Sequence, residues 1–458
     1  MAGRALRSRA GAEPDVRTLR LLTVSALVLA PVSAPGIAAA VTPPPVDETA
    51  LPAARPPAPR VPTTLHDDCV AAAAGTSADT EPGQLRGLDL RAVWALTRAA
   101  GQTVAVIDTG VARHRRLPHL VPGGDYVWTQ DGTADCDGHG TLVAGIIGAA
   151  PDSAHPQGFT GIAPDATILA IRQSSNKFRP IDDPGQSGVG DVDTLAHAVR
   201  TAADLGATVV NISSVACVPA EPALDDSALG AALAYAVDVK NVVVVTAAGN
   251  VGGPGQCPRQ NDPGSQGWDD VVTVVSPAWY DDYVLTVGSV GPDGAASAFS
   301  LAGPWVDVAA PGEEIISLAA ADDGLVDTAP TASTLAGTSY AAPIVSAIAA
   351  LVRARFPELT ARQVMARIER TAHHPPAGWD PVVGHGTVDA LAAVSGPAAQ
   401  APQRYSAPQP PPPAGDAAPS AQRPRRTAAQ GAALCVAVAA GIAVAARLRR
   451  GAGSVPED

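Results

Sequence analysis

The chain has 458 residues, 46% of them hydrophobic, which is enough for one large domain with a substantial core and for additional segments. Aromatic residues make up only 3%, so the packing must come from small and branched aliphatic side chains. A net charge of −13, with no sustained Lys/Arg cluster in the globular part, argues against a nucleic-acid partner, which would want a basic face.

The N-terminus carries Arg4, Arg7, Arg9, Arg17 and Arg20, then the apolar stretch LLTVSALVLA (21–30) and the small-residue run GIAAA ending at Ala40. A charged region, a short apolar core and an A-x-A-like end describe a signal peptide over 1–40. The apolar core is too short to cross a bilayer as a lone helix, which takes about twenty residues. Residues 41–84 are rich in Pro and Ala and read as an extended arm with little regular structure.

Tandem apolar runs follow: TVAVID (103–108), TILAI (167–171), ATVVNIS (207–213), NVVVVTAAGN (241–250) and YVLTVGSV (283–290). Short, Val/Ile-rich runs without charge suit strands covered on both faces, as in a parallel sheet. Helical patterns lie between them at 191–206 and 223–237, so the class is α/β, a mostly parallel central sheet flanked by helices. A buried helix follows Ser339 and stops before Pro357; another, over 360–372, can be capped by Thr360. The domain spans 85–395.

Residues 396–427, with PQPPPPAG, form a semi-rigid Pro-rich linker. The stretch 428–446 has no charge and is flanked by Arg423, Arg425, Arg426 and by Arg447, Arg449, Arg450, a length that can cross a membrane as one C-terminal transmembrane helix. Combined with an export signal, this places the bulk of the chain outside the cell membrane, with a single pass and a cytoplasmic tail over 447–458. Cys69, Cys136, Cys217 and Cys257 fall in the exported part and Cys435 in the span. An even set in an oxidising compartment suggests two disulfides, with three pairings open.

The chemistry is concentrated at four places. The run VAVIDTGV ends a strand on Asp108, where open α/β sheets put their functional groups. In DCDGHGTLVAGII, His139 sits between two glycines at the start of an apolar helical run, and imidazole exchanges protons near neutrality. NVVVVTAAGN terminates on Asn250, whose amide can donate to a tetrahedral oxyanion. In LAGTSYAAPIVSAIAALV, Ser339 stands at the mouth of a helix, where a backbone N–H supplies a second donor; Thr338 could serve there as an N-cap. The order Asp…His…Ser on an α/β core is the subtilisin arrangement of a serine nucleophile, general base and orienting acid.

The motifs VIDTGV, GHGTLVAGII, AAGN and GTSYAAP resemble those of subtilisin-like (S8) serine proteases. Further segments, among them GGDYV (123–127), IRQSS (171–175), PAWYDDYVLTVG (277–288) and SLAGPWVDVAAPG (300–312), resemble the mycosins, membrane-anchored proteases associated with type VII secretion. The resemblance runs from about 66 to 394. It implies a triad of Asp108, His139 and Ser339, an oxyanion residue Asn250, and a substrate-binding edge that includes Ser213, Ser214 and Gly249. It also implies disulfides Cys69–Cys136, tying down the arm, and Cys217–Cys257. Tyr340 stands where such enzymes often have Phe or Met.

The expected function is that of a membrane-anchored extracytoplasmic endopeptidase acting on protein or peptide substrates through an acyl-enzyme. The alternative is a structural stabiliser of the type VII secretion membrane complex. No metal or other cofactor is expected: His114, His119, His373 and His374 lack ligand spacing and read as surface-loop residues.

Overall fold

The computed structural model describes residues 41–71, 82–155, 158–222, 224–253, 256–329 and 333–397. The signal segment 1–40, nearly all of the linker, the apolar stretch 428–446 with Cys435, and the tail lie outside the described residues.

A short strand, β1 (Thr63–Leu65), and helix α1 (Leu90–Leu96) precede the sheet. The strands are β2 (Thr103–Asp108), β3 (Leu120–Asp125), β4 (Thr167–Arg172), β5 (Phe178–Pro180), β6 (Val209–Ile212), β7 (Ala216–Pro219), β8 (Val243–Ala247), β9 (Thr273–Ser276), β10 (Leu285–Val290) and β11 (Val308–Pro311). Seven of them form one sheet in the order β11-β10-β8-β6-β2-β4-β3, parallel at every pairing. Successive side chains on a strand point to opposite faces, and β6, β8 and β10 are buried at every position. The sheet is therefore covered on both sides, as the charge-free Val/Ile runs require.

The covering helices are α2 (His139–Gly148), α3 (Val192–Asp204), α4 (Ser227–Ala234), α5 (Thr338–Arg355), α6 (Ala361–Thr371) and α7 (Ala390–Val394). Helix α5 is buried from Tyr340 to Val352 and packs against α2 and the central strands; α3 packs on α4. An apolar surface all round is what a core helix carries. The expected Thr360 cap forms, as a capping box with Gln363 on α6, and Asp191 makes the same arrangement with Thr194 on α3. The chain's last described helix ends at Val394, close to the anticipated domain boundary.

From β2 the chain first builds β3 and β4 on one side and then β6, β8, β10 and β11 on the other. The direction changes at β2, so the crevice at the carboxyl ends of β2 and β6 is where such a sheet places a ligand.

The arm is less loose than its composition suggests. β1 pairs antiparallel with β5, Arg60 reaches Asp191 and Asp193, Arg200 donates to the Pro52 carbonyl, and Arg55 meets His197 Nε2 at 2.7 Å. Disulfides join Cys69 to Cys136 and Cys217 to Cys257. An extended proline-rich segment has few internal hydrogen bonds, and here its ordering comes from contacts with the domain.

Candidate active site

Strand β2 ends on Asp108, whose side chain is fully buried. The Thr109 N–H donates to Asp108 Oδ1 at 2.8 Å, and His139 Nδ1 lies 2.7 Å from the same oxygen. This approach depends on Gly140, because a Cβ there would lie 2.0 Å from the Gly110 carbonyl oxygen. The other ring nitrogen, Nε2, is 3.0 Å from Ser339 Oγ. With a carboxylate holding the proton on Nδ1, Nε2 faces the hydroxyl as a base. Burial pushes the His139 pKa down, but Asp108, through its charge and hydrogen bond, with Asp135 and Asp137 behind it, raises it above its ordinary value.

Asp135 is a site residue that motif reading passed over. Its Oδ1 accepts from Thr109 Oγ1 and the Gly138 N–H, and its Oδ2 from the N–H and hydroxyl of Thr141. The Thr109 hydroxyl in turn accepts the Gly140 N–H at 3.0 Å. Asp135 thus ties the end of β2 to the first turn of α2, on both sides of the Asp108–His139 contact. Desolvation pushes its carboxyl up to about 6 despite the Thr141 and Gly138 hydrogen bonds. An acidic residue four positions ahead of a helix-opening His, with a Thr on each partner element, was the available signal.

Ser339 is the second residue of α5, and the N-cap is Gly337 rather than Thr338. Thr338 is fully buried, and its N–H and hydroxyl donate to Asn250 Oδ1 at 2.9 and 3.0 Å, while its hydroxyl accepts the Gly249 N–H. With Oδ1 so occupied, Asn250 presents Nδ2 to the other side. A Cβ at Gly337 would lie 3.2 Å from Ser339 Oγ and 3.5 Å from Asn250 Nδ2, so the two groups border one small space. The Tyr340 ring packs on His139 with centroids 5.3 Å apart.

A cleft of about 890 Å³ opens beside these groups, lined by His139, Ser339, Asn250, Ser213, Ser214 and Gln256 among others. Ser214 is part of its wall. Ser213 is only 5% exposed, and its hydroxyl donates to the Ser339 carbonyl at 2.8 Å. Gly249 lies behind the wall, at φ +98°, where a Cβ would be 2.8 Å from Cys257 Sγ; its carbonyl accepts the Leu301 N–H. His119, His373 and His374 are exposed as expected, but His114 is buried, its Nδ1 accepting the Arg116 N–H because Arg116 itself folds inward to the Ala150 and Phe159 carbonyls.

A buried carboxylate, an imidazole and a helix-N-terminal serine hydrogen-bonded in series, on a parallel sheet and in this chain order, define a serine hydrolase of subtilisin type. Residues 99–386 match the Subtilase family of S8 peptidases. The chain is 59% identical over 456 residues to Mycosin-4 of Mycobacterium tuberculosis, covering 96% of this chain and 99% of that one. The crystal structure of MycP1 from Mycobacterium smegmatis superimposes with a TM-score of 0.73 at 40% identity, covering 81% of this chain and 100% of that chain. A chain of an intact ESX-5 inner membrane complex matches with a TM-score of 0.72 at 40% identity, covering 89% of this chain and 100% of that one. The chain belongs to the subtilase family of serine peptidases and, within it, to the mycosins.

Proposed function

We propose that the protein is an extracytoplasmic serine endopeptidase anchored by residues 428–446 and working at a type VII secretion membrane complex. The observation that carries the catalytic part is the unbroken series Asp108–His139–Ser339 at the edge of an open cleft. Ser339 Oγ attacks the scissile carbonyl carbon as His139 Nε2 takes its proton, and Asp108 holds the ring in register. Asn250 Nδ2 and the Ser339 N–H stabilise the oxyanion. Collapse breaks the C–N bond, the proton passes from His139 to the leaving amine, and water, activated by the same imidazole, releases the acyl group. The peptide backbone runs along the Ser213–Ser214 edge.

A fluorophosphonate probe tests this: it should label the purified wild-type domain and not Ser339→Ala. Labelling that survives the substitution removes Ser339 from the role.

A second reading, that the chain chiefly stabilises the secretion complex, is favoured by its likeness to a chain of the ESX-5 inner membrane assembly and by the docked arm. Secretion in a deletion strain distinguishes the two: full rescue by Ser339→Ala supports the structural role, and failure to rescue supports proteolysis.

A further inference from the structure

Pro343 lies inside α5, four residues after the nucleophile. A proline has no N–H, so the Ser339 carbonyl lacks its α-helical donor in the first turn. The donor comes instead from another element. Ser213, just past the end of β6, donates its hydroxyl to the Ser339 carbonyl at 2.8 Å. Ser213 Oγ accepts from Asn211 Nδ2 at 2.9 Å, and Asn211 Oδ1 accepts from Ser346 Oγ at 2.8 Å. Asn211 and Ser346 are fully buried. The series starts on the third turn of α5, crosses to β6 and returns to the first turn of α5, bridging the gap that Pro343 leaves.

The structure assigns Ser213 as a positioning residue: its hydroxyl replaces the missing helical N–H and fixes the peptide that follows the nucleophile. The direction of each bond supports this, because Asn211 occupies the acceptor side of the Ser213 hydroxyl and leaves its one proton for Ser339. Fixing that peptide fixes the backbone that carries Oγ toward His139 Nε2. Ser213 also borders the cleft, so the edge beside which a substrate lies is the edge that holds the nucleophile. The assignment rests on Ser339 being the nucleophile, which wild-type labelling tests separately.

The experiment compares Ser213→Ala, Pro343→Ala and the double variant. Ser213→Ala should slow fluorophosphonate labelling of Ser339 and lower kcat, each by about tenfold, with KM little changed, since a half-buried carbonyl loses its partner. In Ser213→Ala/Pro343→Ala the helix regains a backbone N–H four residues after the nucleophile. That donor can reach the orphaned carbonyl, and the labelling rate should return to near wild type. A rise in KM alone, with labelling unaffected, would make the hydroxyl a substrate contact and overturn the assignment. A slowed rate that Pro343→Ala fails to restore would overturn it as well. Should Ser213→Ala not accumulate, Ser213→Cys, nearly isosteric but a weaker donor, should show the same loss in smaller measure. Wild-type protein that does not label at all would instead remove the nucleophile reading.

Discussion

Thr338 and Asn250 meet through two donors on one acceptor: the Thr338 N–H and hydroxyl both end on Asn250 Oδ1. This polarity decides which end of the amide faces Ser339. Replacing Asn250 by Ala should lower kcat by about 100- to 1,000-fold with little effect on KM, a range taken from removal of an oxyanion amide in a subtilisin. Thr338→Val keeps the N–H and loses the hydroxyl, so its loss should be smaller, about five- to tenfold. Steady-state kinetics on a peptide substrate checks the ranking, and a larger loss for Thr338→Val would contradict it.

Asp108→Asn should preserve the fold and lower kcat by about 10⁴, the loss seen for the equivalent change in another serine protease. An amide nitrogen facing Nδ1 favours the tautomer protonated on Nε2, and that ring cannot accept the serine proton. Circular dichroism alongside kinetics separates this from misfolding.

The raised pKa of His139 sets the pH profile. The base must be neutral, so kcat/KM should fall as pH drops, with a midpoint above the ordinary imidazole value of about 6.5. Asp135→Asn removes a carboxylate that favours the imidazolium, and the midpoint should move to lower pH. An unmoved midpoint with reduced thermal stability would mean that Asp135 acts only by joining β2 to α2.

The Cys217–Cys257 bridge lies against Gly249, and the Cys257 N–H donates to the Asn250 carbonyl at 2.8 Å. Replacing both cysteines by Ala should cost about 2–4 kcal/mol of stability in chemical denaturation. It should also lower kcat by loosening the peptide that carries Asn250. Gly249→Ala forces a side chain into a left-handed backbone and onto Cys257 Sγ, and should depress activity while leaving both disulfides formed.

Much of this site is readable in one dimension because its parts are local. Asp108 ends a strand, His139 opens a helix between glycines, and Ser339 sits at a helix mouth, each marked by its neighbours. The strand run to Asn250 was legible too, although β8 itself stops at Ala247, since Gly249 and Asn250 leave the ladder to meet α5. Roles that depend on contacts between distant segments were not legible. Thr338 looked like a cap, but its hydroxyl turns to Asn250. Ser213 reads as part of a substrate edge, and the sequence does not show that its hydroxyl turns to a carbonyl that Pro343 leaves without a helical donor. The docking of the arm is implied by the family resemblance and not by composition, which reports that a proline-rich segment lacks periodicity and says nothing of the Asp191, Asp193 and Val127 groups that bind it.

The Cys69–Cys136 crosslink joins two cysteines 67 positions apart in the chain. Severing the backbone at any bond between those two cysteines would yield two polypeptides that still migrate as one species until a reductant is added. The upstream fragment would keep β1 on β5 and its grip on the catalytic unit, so a nicked enzyme and an intact one would differ only on a reducing gel, without having parted company.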